Sequence, residues 1–83
     1  MKNAGYTIKK KEIYNHTDNF GVALGWNGKQ AVTWEFTVSG NNEYSFFWGH
    51  YFSDYHKACK DYHERLSNLY SFMISEDEYN EGK

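Results

Sequence analysis

From Val32 to Val38 large apolar residues occupy every second position, Val32, Trp34, Phe36 and Val38, with Thr33, Glu35 and Thr37 between them. Period two is the signature of a strand with one buried face. The same alternation places Phe20, Val22, Leu24 and Trp26 against Gly21, Ala23 and Gly25, and Tyr44, Phe46, Trp48, His50 and Phe52 against Ser45, Phe47, Gly49 and Tyr51. A fourth segment, Tyr6 to Tyr14, has its alternation broken by Lys9, Lys10 and Lys11. It reads as an edge strand whose charges discourage further pairing. From Asp54 the period changes. Tyr55, Ala58, Cys59, Tyr62, Leu66, Leu69, Tyr70 and Met73 recur at helical spacing, opposite Lys57, Lys60, Asp61, Glu64 and Arg65. Ser53 is a suitable N-cap, Asp54 suits the first turn, and Asp61 and Arg65 are spaced for an i,i+4 pair.

Three loops set the register. Residues 15–19, NHTDN, are turn-forming. At Trp26-Asn27-Gly28-Lys29 a two-residue turn would set Val22 opposite Thr33 and Leu24 opposite Ala31, apolar against polar. A three-residue loop with Gly28 left-handed pairs Val22 with Val32 and Phe20 with Trp34, gathering the large residues on one face. The second register is the one expected. Residues 39–43, SGNNE, form another odd-length loop that keeps Phe36 and Phe46 on one side. The expected fold is an α+β domain over residues 1–74. It is a four-stranded antiparallel meander with one C-terminal amphipathic helix, residues 54–73, packed on one face (ββββα). Residues 75–83 then form a flexible acidic tail.

Composition sharpens this picture. Eighty-three residues suffice for one domain near the lower limit of self-supporting cores. Phe, Trp and Tyr make up 20% of the chain, and since each ring buries about 150–250 Å² this offsets the small size. The single cysteine, Cys59, excludes an internal disulfide and suits a reducing compartment. No apolar run reaches the ~20 residues of a membrane span, so a cytoplasmic protein without a membrane partner is expected. The net charge of −2 does not favour nucleic acid, although Lys2 and Lys9–Lys11 make one end basic and Glu76, Asp77, Glu78 and Glu81 make the other acidic.

The passage Trp48 to Tyr62, WGHYFSDYHKACKDY, resembles the strand–turn–helix junction of AP2-type DNA-binding domains and of the arm-binding domains of integrases. Gly49, Tyr51, Ser53, Ala58 and Tyr62 stand at the matching places. It is also similar to small proteins carried by phages and conjugative elements of Gram-positive bacteria. The resemblance implies a βββα-type fold. It further implies either DNA binding by the sheet face opposite the helix or an accessory role that interferes with a host defence system. The chain departs from the family on that face, where Arg is absent and Glu35 stands in the middle.

Reactive chemistry is sparse. Cys59 and His63 lie four apart, but no second Cys-His pair has zinc-site spacing, and His16, His50 and His56 are scattered. A mid-helix thiol in an apolar stripe is a poor nucleophile. Gly21, Gly25 and Gly28 precede no helix, so they form no phosphate loop. Neither a catalytic role nor a cofactor or metal is therefore expected. His50, near a strand end on the helix side, is expected to bond the backbone at the helix start. The outward positions Thr33, Glu35, Thr37, Ser45, Phe47 and Tyr51, beside the lean Gly21, Ala23 and Gly25, form the candidate surface for another protein, whether a host defence component or a second copy. The alternative is nucleic-acid binding by the same face, with Lys9, Lys10 and Lys11 on phosphates.

Overall fold

The computed structural model describes residues 1–15 and 19–81, with side chains as far as residue 69 and Asn15 by backbone alone. The central residues of the 15–19 turn, the side chains of Tyr70 and Met73, and those of the acidic segment lie outside the described residues. The described residues form an α+β unit of five strands and one helix. These are β1 (Lys2–Asn3), β2 (Tyr6–Asn15), β3 (Phe20–Trp26), β4 (Ala31–Val38), β5 (Tyr44–Phe52) and α1 (Tyr55–Glu81). The strands form one antiparallel sheet in the order β1-β2-β3-β4-β5.

Four strands are expected from periodicity, and five are present. The extra one, β1, is too short to show a period. Ala4 (φ 51°) and Gly5 (φ 84°) fold Lys2 onto Thr7 and Asn3 onto Tyr6, the two left-handed residues of a type I′ hairpin.

The larger correction is the register of β3 on β4. Trp26 pairs with Ala31, Leu24 with Thr33 and Val22 with Glu35. The connection is therefore Asn27–Gln30, two residues on each side of the hairpin tip, and not the three-residue loop expected above. Asn27 dictates this closure. Its Oδ1 accepts from the Lys29 and Gln30 amides at 2.9 and 2.7 Å, while its own amide donates to the Gln30 carbonyl at 3.1 Å. The apolar faces of β3 and β4 thus point to opposite sides, and the sheet is buried on both.

Each side has its own core. On the helix side Val22, Leu24 and Ala31 pack with Ala58, Tyr62 and Leu66 of α1, flanked by Trp26, Phe52, Tyr55, Cys59 and Leu69. On the far side Tyr6, Ala23, Val32, Trp34 and Phe36 are buried together, with Ile8, Ile13, Val38, Tyr44 and Phe46 around them. The sheet curls to close this second core. The Tyr6 ring of β2 meets Trp34 edge-on at 5.7 Å and Tyr51 of β5 at 6.5 Å. Lys11 Nζ of β2 donates to Tyr44 Oη of β5 at 2.7 Å. The glycines of β3 make the floor. A Cβ at Gly21 would lie 2.7 Å from Phe36 Cζ, and one at Gly25 2.9 Å from Trp34 Cζ3. The positions that look like a lean outer wall in the sequence are the space into which the β4 rings fit.

The second hairpin agrees with expectation, Phe36 pairing with Phe46 and Val38 with Tyr44 across residues 39–43. At the helix start Asp54, not Ser53, is the N-cap. Its Oδ1 accepts from the His56 amide at 2.8 Å, and its carbonyl accepts from Ala58 at 3.2 Å. The helix continues to Glu81, beyond the boundary at residue 73 that the periodicity suggests.

Candidate functional site

Five of the six residues expected to share an open outer face do share one, but it is the face that carries the helix. Thr33 is fully buried and Glu35 and Thr37 are half-buried there, Phe47 stacks edge-on with Phe20 at 5.5 Å, and Ser45 pairs with Thr37. Tyr51 pairs with Val32 and so belongs to the far side. The cause of this separation is a bulge. Between Thr33↔His50 and Glu35↔Phe47, β5 spends two residues, Trp48 and Gly49, against the single residue Trp34. After that point the parity of β5 reverses. His50 and Phe52 fall on the helix side and Tyr51 on the other.

The bulge is built around Trp48. Its φ of 55° is left-handed, an unfavourable conformation for a bulky side chain at about 1–2 kcal/mol. The indole is 67% exposed and touches Phe47 edge-on at 5.0 Å. What offsets the strain lies underneath. The Trp48 carbonyl accepts from Arg65 Nη2 at 2.7 Å. Arg65 also donates through Nη1 to Glu35 Oε2 at 3.2 Å and through Nε to Asp61 Oδ2 at 3.2 Å. The same Asp61 oxygen accepts the Thr33 hydroxyl at 2.5 Å and meets His50 Nδ1 at 3.1 Å.

The polar residues of β4 are thus matched by a polar strip of α1, and each buried charge has a partner. Burial alone would raise the Asp61 carboxyl. The hydrogen bonds from Thr33 and His50, with the charge of Arg65, outweigh it and hold the group below its usual range. Asp61 and Arg65 form the expected i,i+4 pair, but turned toward the sheet and not toward solvent. His50 bonds the Asp61 side chain and not the helix backbone, leaving its ring more than half exposed.

The two long edges of the sheet differ sharply. The β2 edge carries Lys9, Lys10, Lys11 and Glu12, is interrupted by two irregularities and is partly covered by β1. The three lysines do not all share one face. Lys10 pairs with Leu24 and Lys11 with Ala23, on opposite faces, and Lys11 is occupied by Tyr44, over whose ring it also sits at 4.5 Å. The β5 edge is the last in the sheet. Six of its nine residues are Phe, Tyr or Trp, none of the nine is buried, and Trp48 and Tyr51 are 67% and 59% exposed.

Sequence reasoning missed Trp48 and Arg65. A signal for each was present: a glycine after a bulky residue inside a strand marks a bulge, and the Thr-Glu-Thr face of β4 calls for a polar partner. Cys59 borders the helix-side core and His63 is exposed. Among the described residues no three His, Cys, Asp or Glu groups converge to hold a metal ion, and no helix is long and apolar enough to cross a membrane. Comparison with protein families, curated proteins and solved structures finds no match to this chain.

Proposed function

We propose that the protein is a non-catalytic protein-binding module whose contact surface is the β5 edge, centred on Trp48 and Tyr51 with His50, Phe47 and Ser45 beside them. One observation carries this reading: a strand of six aromatics in nine residues, none buried, at the open margin of a sheet whose two faces are already packed. Exposed aromatic side chains on the last strand of a sheet suit strand addition with side-chain anchoring. The network under Trp48 serves to fix the anchor in place before contact. Use of this surface by an accessory protein of a phage or mobile element, against a host defence component, is supported by the resemblance of Trp48–Tyr62 alone.

The test is affinity capture followed by mass spectrometry with the wild type, Trp48→Ala and Tyr51→Ala. Loss of the same captured protein in both variants, with unfolding free energy changed by less than about 1 kcal/mol, is the expected result. Undiminished capture by both variants would remove the reading.

Nucleic-acid binding is the second reading. Its support is the exposure of Lys9 and Lys10, beside a groove of about 270 Å³ that Met1, Ile8 and Lys11 complete. It requires an affinity that falls steeply with salt and weakens on neutralising Lys9 and Lys10.

A further inference from the structure

We propose that the β5 edge pairs antiparallel with the β5 edge of a second copy across a two-fold axis. The inference rests on the reading of that edge as the contact surface and names its occupant.

The argument is one of charge. In an antiparallel pair related by a two-fold axis, every residue of the strand meets a residue of the same strand, and like charges placed opposite are destabilising. A strand able to join its own copy must therefore carry little charge. Tyr44–Phe52 contains no Asp, Glu, Lys or Arg. The opposite edge shows what avoidance of self-pairing looks like in this same fold. Lys9, Lys10, Lys11 and Glu12 stand on β2, under a covering strand. None of those charges is repeated on β5. A neutral edge also offers no attraction to an acidic or basic foreign strand, whereas its rings suit a second set of rings.

Full overlap of the two strands sets the axis near the middle of β5. Trp48 stands there, with four residues on each side. Outward backbone groups of residues 44–47 and 50–52 then bond those of the other copy on either side of the bulge, where the Trp48 carbonyl is already held by Arg65, and the two sheets join into one. Trp48 and Tyr51, exposed in the single chain, become the centre of the interface.

Sedimentation velocity and light scattering on the full chain, over a wide concentration range, decide the matter. The expected mass is twice the 9.9 kDa of the chain. Trp48→Lys, which meets its own copy at the axis, and the double variant Ser45→Lys/Tyr51→Lys, in which position 45 of one copy meets position 51 of the other, each set like charges opposite one another and should weaken dimerisation at least tenfold. Trp48→Lys bears the main weight, because Trp48 is exposed and belongs to neither core. Mixing Trp48→Lys with Trp48→Glu should restore a mixed dimer, a result that a contact elsewhere on the molecule would not give. A wild type that stays monomeric at every concentration overturns the proposal, as does a dimer indifferent to both lysine variants. Its failure is separable from that of the protein-binding reading. A monomeric wild type that still captures another protein in a Trp48-dependent manner removes self-pairing and leaves that reading standing.

Discussion

Alanine at Gly25 or Gly21 tests the two-sided packing by the sign of its effect. At Gly25 the new methyl would lie 2.9 Å from Trp34 Cζ3, 3.0 Å from Tyr6 Cβ and 3.1 Å from Trp34 Cη2. Carbon atoms pack at about 3.5–4.0 Å, so the indole has to retreat by roughly half an ångström or more. It has little room, with Tyr6 edge-on at 5.7 Å and Phe46 at 5.2 Å. Overpacking of this kind costs about 1–3 kcal/mol, against which removing a strand glycine returns about 0.5–1 kcal/mol. The net expectation for Gly25→Ala is a loss of about 1–2 kcal/mol. Gly21→Ala is worse, because its methyl would fall onto the Glu12 carbonyl oxygen, a backbone atom that cannot turn aside. A loss of about 3 kcal/mol or more is expected there. Gly40→Ala is the control. Nothing lies within 4 Å of its Cβ, and the change should stay within about 0.5 kcal/mol. Urea unfolding followed by far-ultraviolet circular dichroism reads all three. Were the glycine face of β3 open to solvent, both strand substitutions would be neutral or stabilising, and that outcome would refute the packing described above.

Three further outcomes follow from the helix and its polar strip. Asp54→Ala should cost about 1 kcal/mol in urea unfolding through loss of the N-cap, while Ser53→Ala should change little. Arg65→Met leaves Glu35 and Asp61 without their cation and the Trp48 carbonyl without its donor, for a loss of about 2–4 kcal/mol. Pairing it with Glu35→Met should recover part of that loss in a double-mutant cycle. Asp61 is held below the usual carboxylate range, so between its folded and unfolded values the unfolded chain binds more protons and stability rises with pH. Its contribution is complete above about pH 4 and is lost as the pH falls through the folded value. Asp61→Asn should flatten that part of the acid limb in denaturant unfolding followed across pH.

Much of the fold is legible in the residues because period two and period 3.6 are strong signals. β3, β4, the Ser39–Glu43 loop and the α1 stripe are found where the pattern puts them. What misleads is the assumption of a single apolar face. An alternating strand states which of its residues share a side, but not which side faces a neighbour, and one loop residue more or less decides that. Here Asn27 decides it, through side-chain bonds that no periodicity reports. The bulge at Trp48–Gly49 has the same effect one strand later. It separates Phe47 from Tyr51, which the pattern places together. The polar strip Asp61–Arg65 reads as a solvated helix face because its partners, Thr33, Glu35 and the Trp48 carbonyl, are distant in sequence.

The location of Trp34 decides whether aromatic surface is left over at the β5 edge, and nuclear Overhauser contacts from its indole protons measure that location most directly. Cross-peaks to the rings of Tyr6 and Phe46, without any to Ala58, Tyr62 or Leu66, are the expected result. Cross-peaks from Trp34 to those helix residues would put all the large rings on one side of the sheet and leave the other side bare. The edge would then lose its claim to be the contact surface.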